Sequence, residues 1–70
     1  MEAFHLRLQK ILKEKNVSQV HLAEAIGMSQ GVVNNYCTGK REPSIYVLYL
    51  ICKTLNVSAD YLIGLSELNT

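Results

Sequence analysis

Apolar residues recur along the chain at intervals of three and four, which is the spacing of one face of an α-helix. Near the start, four of them fall at i, i+4, i+7 and i+8: Phe4, Leu8, Ile11 and Leu12. The same spacing returns between residues 47 and 55. No segment alternates apolar and polar residues with the period of a strand. The pattern therefore predicts an all-α chain of amphipathic helices.

Capping residues divide this pattern into separate helices. A serine before a helix can accept a hydrogen bond from a first-turn amide, and glycine or asparagine readily ends a helix. Serines precede four of the apolar segments, at Ser18, Ser29, Ser44 and Ser58, and stops follow at Asn16, Gly27, Gly39 and Gly64. We predict one domain over residues 1–70, with helices at about 2–15, 19–26, 30–37, 45–55 and 59–64.

Composition narrows the class of protein. A chain of 70 residues has room for one small domain, and its 49% hydrophobic content is enough for a packed core. The net charge is only +1, so any electrostatic function depends on where the charges lie. We see no signal peptide, and no apolar run approaches the roughly 18 residues that span a bilayer. We expect a cytoplasmic protein with no membrane association.

The second and third predicted helices are joined by three residues, Gly27, Met28 and Ser29. So short a connection makes the two helices cross steeply. Ala23 is small enough to let them approach closely, and Val33 can fill the angle between them. This combination predicts a helix-turn-helix.

Three blocks of sequence resemble one known family: "SQVHLAEAIGMSQGVVNNY", "GKREPS" and "LICKTLNVSADYLIGL". From Arg7 to Leu65 the chain is similar to the phage-repressor and Cro-like helix-turn-helix family, often called the xenobiotic response element family. The resemblance implies a compact five-helix, lambda-repressor-like DNA-binding domain. It also implies a dimer on a near-palindromic operator, with the third helix in the major groove.

Uncharged amides on the third helix are candidates for reading DNA bases. An amide presents a donor and an acceptor side by side, which matches the N6 and N7 edge of adenine. Since Val33 fixes the inward direction, four residues point outward or to the flank: Gln30, Gly31, Asn34 and Asn35. The resemblance carries base contact onto Gln30, Gly31 and Asn35, and Val32 is placed to meet a thymine methyl. The alternative is an ordinary solvated helix face.

Phosphate contacts are expected on both sides of these readers, where they orient a protein on DNA without specifying sequence. The family uses a glutamine at the position of Gln19, and helix N-termini attract phosphate. The predicted phosphate-binding set is Ser18, Gln19, Ser29, Thr38, Lys40, Arg41 and Ser44. Alternatively, Lys40 and Arg41 are simply turn residues.

Two positions depart from the family. Many members have an arginine at the position of Leu12 and a glutamate at that of Cys37, which form a partly buried ion pair. Replacing both partners of such a pair by apolar residues is often neutral or stabilising, so we expect Leu12 to pack against Cys37. A redox switch between Cys37 and Cys52 is an alternative to the reading of both as buried hydrophobes. The spacing of the cysteines suggests no metal site.

The leading hypothesis is a sequence-specific transcription regulator, a repressor from a bacterium or its phage, acting on double-stranded DNA. We expect a homodimer through helix 5 and an apolar tail with Ile63, Leu65 and Leu68. The alternative is a protein-interaction module or antitoxin-type protein that uses Tyr46, Tyr49 and the tail. No catalytic set, cofactor motif or small-molecule ligand is evident, so we do not expect an enzyme.

Overall fold

The computed structural model describes residues 2–69, and across them it contains five α-helices and no strand. The helices are α1 (Glu2–Lys15), α2 (Gln19–Ile26), α3 (Gln30–Thr38), α4 (Ile45–Leu55) and α5 (Ala59–Leu62). The predicted all-α, five-helix fold is confirmed. The helix expected at 59–64 is shorter, because the amide of Gly64 bonds to the carbonyl of Tyr61 in a tighter turn. At the other boundary that differs, α3 includes Thr38.

Serine caps begin α2 to α5, and residues in the left-handed conformation end α1 to α4. In α2 to α5 the serine before the helix accepts a hydrogen bond from the amide three residues later, at 3.0–3.3 Å. The residue that directly follows each of α1 to α4 has positive φ, the conformation that glycine and asparagine tolerate best. These residues are Asn16, Gly27, Gly39 and Asn56. These local signals explain why helix boundaries are readable in this sequence.

Every helix contributes side chains to one core. The buried residues from α1 are Phe4, Leu8, Ile11 and Leu12, and those from α2 and α3 are Leu22, Ala23, Ile26, Val33, Tyr36 and Cys37. The rest are Val47, Ile51, Leu55, Val57, Tyr61 and Leu62. Among the described residues, no polar or charged side chain is buried with them.

Val20 is an apolar residue of α2 that does not belong to the core. Its side chain is 51% exposed, because Leu22, Ala23 and Ile26 form the face of α2 that turns inward. Val20 lies two residues before Leu22, which places it about 200° away around the helix.

Among the helices that the structure describes, the two of the helix-turn-helix, α2 and α3, share the most extensive contact. α2 also packs on α4, while α1 contacts α3, α4 and α5. Between α2 and α3, Gly27 turns the chain at φ 71°, and the amide of Met28 bonds back to the carbonyl of Ala23 at 2.9 Å. The start of α3 is thereby held against the end of α2, with its first turn at the surface.

Arg7 of α1 binds the end of α5 and the segment that follows it. Its Nη1 donates to the carbonyls of Tyr61 and Ser66, at 3.0 and 2.6 Å. Its Nη2 donates to Glu67 at 2.9 Å, and its guanidinium lies 4.6 Å from the centre of the Tyr61 ring. These contacts hold the two ends of the domain together.

Candidate nucleic-acid interface

Three amide side chains meet where the N-terminus of α2 approaches α3. Gln19 is the first residue of α2, and Gln30 is the first residue of α3. The Gln19 Oε1 atom accepts hydrogen bonds from Gln30 Nε2 at 3.2 Å and from Asn34 Nδ2 at 3.3 Å. We call Gln19, Gln30 and Asn34 the amide cluster. It joins a residue predicted to contact phosphate to two predicted base readers.

The amide cluster leaves hydrogen-bonding groups available to an outside partner. Gln30 is exposed, and each amide nitrogen carries two N–H groups, of which its bond to Gln19 uses one. Gln30 therefore presents a donor and an acceptor together, the pair that matches the adenine edge in the major groove. Both N–H groups of Gln19 remain, and they suit an anionic oxygen.

The remaining predicted readers differ in how they are exposed. Gly31 lies at the surface, and an added Cβ there would meet only Ser29 Oγ, at 3.9 Å. Val32 is half-buried and packs against the core, so only part of its side chain can meet a base. Asn35 is also half-buried. The buried side chain of Val33 fixes the rotation of α3 that gives this distribution.

The carbonyl of Asn35 organises the loop after α3. It accepts backbone hydrogen bonds from Gly39, from Lys40 at 3.0 Å and from Arg41 at 3.2 Å. The side chains of Lys40 and Arg41 are exposed. Two cations are therefore attached, through the main chain, to the end of the helix that carries the amide cluster.

Hydroxyl groups at the helix ends divide into two kinds. As caps, Ser18, Ser29 and Ser44 use an oxygen lone pair, which leaves each O–H free to donate to an anion. Thr38 instead donates its O–H to the carbonyl of Asn34, at 3.0 Å. The hydroxyl of Thr38 would have to rotate before it could donate to a phosphate.

The N-termini of α2, α3 and α4 also share an electrostatic property. None of the three has an acidic residue in its first turn, whereas α5 has Asp60 there. No first-turn carboxylate therefore opposes the partial positive charge at these three helix ends. The surface near the amide cluster can attract anions although the net charge of the chain is only +1.

Both cysteines are free thiols in hydrophobic surroundings. Burial raises the pKa of Cys37 and of Cys52, which keeps both thiols protonated and weakly reactive at neutral pH. Cys37 and Leu12 are both buried and border the same cavity, and the Gln9 amide donates to the Cys37 carbonyl. These features favour the reading of the cysteines as small hydrophobes.

Apolar side chains are exposed in two places away from the amide cluster. On α4, Ile45 is 87% exposed, and the rings of Tyr46 and Tyr49 stack with centroids 6.2 Å apart. After α5, Leu65 and Leu68 are 76% and 72% exposed. These surfaces are candidates for protein contact.

Residues 2–69 contain neither a metal-binding cluster nor a membrane-spanning helix. No group of three or more histidine, cysteine or acidic residues is arranged to hold a metal ion there. None of the helices in that range is long and apolar enough to cross a membrane.

The chain matches the family profile described as "Helix-turn-helix" over residues 8–62. It is 35% identical over 60 residues to the "Uncharacterized HTH-type transcriptional regulator YqaE" of Bacillus subtilis (strain 168), covering 86% of this chain and 52% of that protein. It is 28% identical over 61 residues to YobD, which has the same description and organism, covering 87% and 54%. The chain thus spans about half the length of the curated relatives it matches. No solved structure gives a significant match.

Proposed function

Because the chain belongs to the helix-turn-helix family, we propose that it is a sequence-specific, double-stranded DNA-binding transcriptional regulator. The family match agrees with the resemblance seen in the sequence, and the two relatives described above are named as HTH-type transcriptional regulators. In this proposal α3 lies in the major groove and the N-terminus of α2 faces the DNA backbone.

The amide cluster is the observation that carries the proposal. Gln30 and Asn34 read base edges, together with Asn35 and with the surface of Gly31 and Val32. Gln19 holds Gln30 and Asn34 through its Oε1 atom and donates its N–H groups to a phosphate. Uncharged amides suit this role, because they distinguish base pairs without adding non-specific attraction to DNA.

Phosphate contacts in this proposal flank the amide cluster. On one side are the hydroxyls of Ser18 and Ser29, and on the other are Lys40, Arg41 and the hydroxyl of Ser44. Thr38 joins the second group after rotation of its hydroxyl. With so few cations, binding to random DNA is weak, and the base contacts supply much of the preference for an operator.

The regulator acts as a dimer that represses transcription by occupying a near-palindromic operator overlapping a promoter. The exposed Leu65 and Leu68, with α5, form the dimer surface, and the contacts of Arg7 hold that segment in place. Two-fold symmetry sets the two copies of α3 about 34 Å apart, one turn of DNA. The regulator acts in the cytoplasm and needs no catalytic step, cofactor or metal for this role.

One observation favours a second candidate function, a protein-interaction module or antitoxin-type protein with the same fold. Ile45, Tyr46 and Tyr49 expose a large apolar and aromatic surface on α4, and such surfaces are enriched at protein interfaces. An antitoxin would use this surface for its partner and α3 for DNA.

Selection of binding sites from a random DNA library tests the proposed function. The selected duplex is then titrated with the wild type, Gln30→Ala and Thr54→Ala, at several salt concentrations. Thr54 is the control, since it is an exposed polar residue of α4, outside the helix-turn-helix. We expect an inverted repeat, and we expect Gln30→Ala to relax one base position at a cost of about 1–3 kcal/mol.

Failure of the selection would favour the second candidate. If no sequence is enriched and moderate salt removes all binding, α3 does not read bases in this protein. If a single half-site is enriched without its inverted copy, the proposed base recognition by α3 is supported and the proposed dimer on DNA is wrong. Analytical ultracentrifugation of wild type and Leu65→Ser then tests the dimer surface directly.

A further inference from the structure

A cavity of about 590 Å³, largely open to solvent, lies between α1 and the N-terminus of α2. Its floor is apolar and is formed by Leu12, Val17 and Cys37. The volume falls within the range of about 300–1,000 Å³ that is usual for small-molecule sites.

The rim of the cavity is polar and carries one cation, the ammonium group of Lys13. Lys13 and His21 are exposed at its edge, and the hydroxyl of Ser18 and the amide of Gln19 complete one side. None of the side chains that line it is acidic. An apolar floor below a rim with a lysine and hydrogen-bond donors fits an organic anion: the apolar body packs on the floor, and the charged group meets the rim.

We propose that this cavity binds a small organic anion with an apolar body, such as an aromatic carboxylate, and that the bound anion excludes operator DNA. Exclusion follows from shared residues, because Ser18 and Gln19 border the cavity and are also the proposed phosphate contacts of α2. The bound carboxylate takes the donors that a DNA phosphate requires. This second step rests on the proposed function, whereas anion binding itself does not.

Amide NMR spectra of the isotope-labelled protein test anion binding without DNA. Benzoate is the probe, acetate is the control without an apolar body, and benzyl alcohol is the control without a charge. We expect benzoate to shift the amides of Val17, Ser18, Gln19 and Cys37 in a saturable way. Benzyl alcohol should bind about two- to fivefold more weakly, which is the scale of an exposed ionic contact. Acetate should also bind more weakly than benzoate, because it lacks the ring that packs on the apolar floor.

A pair of lysine substitutions checks the position of the bound anion. Lys13→Gln should weaken benzoate binding by about two- to fivefold, while Lys10→Gln should leave it unchanged. Both lysines are exposed on α1, and only Lys13 borders the cavity. Equal effects of the two variants, scattered shifts, or equal binding of benzyl alcohol and benzoate would each overturn the proposal.

A competition experiment with DNA shows whether the cavity binds the carboxylate of a small molecule or only a phosphate of the duplex. If a duplex shifts the cavity amides and no small anion does, the rim is only part of the phosphate contact and the proposal is wrong. If benzoate binds in the cavity and lowers the affinity of the wild type for its selected duplex, the whole proposal holds. If benzoate binds and that affinity is unchanged, the exclusion step is wrong while the anion site stands.

Discussion

Replacing Gln19 by alanine should weaken DNA binding far more than it weakens the fold. In the free protein the substitution removes two hydrogen bonds between neutral, solvent-accessible amides, at 3.2 and 3.3 Å. Such bonds contribute little when water can replace either partner, so we expect the free energy of unfolding to fall by no more than about 1 kcal/mol. Urea denaturation measures this change.

The larger effect comes from the two side chains that Gln19 holds. Without it, Gln30 and Asn34 must be ordered when DNA binds, at about 0.5–1.5 kcal/mol for each side chain. Together this is about 1–3 kcal/mol, or a loss of about 5- to 150-fold in affinity for the selected duplex, and the lost phosphate contact of Gln19 adds to it. Because Gln19 is uncharged, the dependence of affinity on salt should keep its slope.

Fluorescence anisotropy with the selected duplex provides the assay, and a double-mutant cycle isolates the coupling. If Gln19 acts by positioning Gln30, the losses for Gln19→Ala and Gln30→Ala should not add, and the coupling energy should reach about 0.5–1.5 kcal/mol. Losses that add to within about 0.3 kcal/mol would refute this reasoning. Thr54→Ala, on α4, should change neither affinity nor stability.

Three further predictions concern stability. Gly39→Ala should destabilise the protein more than Gly27→Ala. Each substitution puts alanine at positive φ, at a cost of about 1–2 kcal/mol. Of the two, only the new methyl at Gly39 would also meet the imidazole ring of His5 on α1, at 3.1 Å. Thermal melts of the two variants compare them, and equal losses would contradict the contact. Arg7→Ala should cost about 2 kcal/mol and speed amide exchange in residues 61–66; unchanged exchange there would count against the fastening contacts. Leu12→Glu should cost about 3–5 kcal/mol in urea denaturation, since it places an unpaired charge in the core, and an unchanged midpoint would show that Leu12 is not buried.

The fold could be predicted because its signals are local. Ser29 and Gly39, for example, mark the start and end of α3 within the sequence itself, and the structure has a cap at each. The exposure of Val20 was not predictable in the same way. α2 has only eight residues, so apolar spacing alone does not settle which of its apolar side chains face inward.

For the candidate site, sequence indicated which residues point outward but not how they meet. Gln30 and Asn34 follow from the inward direction of Val33, whereas their bonds to Gln19 depend on the crossing of α2 and α3. The role of Arg7 could not be found from sequence. Its main acceptors are backbone carbonyls more than fifty positions away, and a carbonyl is common to every residue type.

The carbonyl of Asn35 has a consequence for the kind of DNA that the proposed regulator would prefer. Because Lys40 and Arg41 are bonded to it through their amides, the distance from the amide cluster to the backbone of these two residues is set before DNA arrives. Because this part of the protein backbone is fixed, the DNA must bend or change its groove width to reach both contacts. The energy of that deformation depends on base sequence. Operators should therefore differ in affinity even at base pairs that no side chain touches, according to how easily their backbone reaches both contacts.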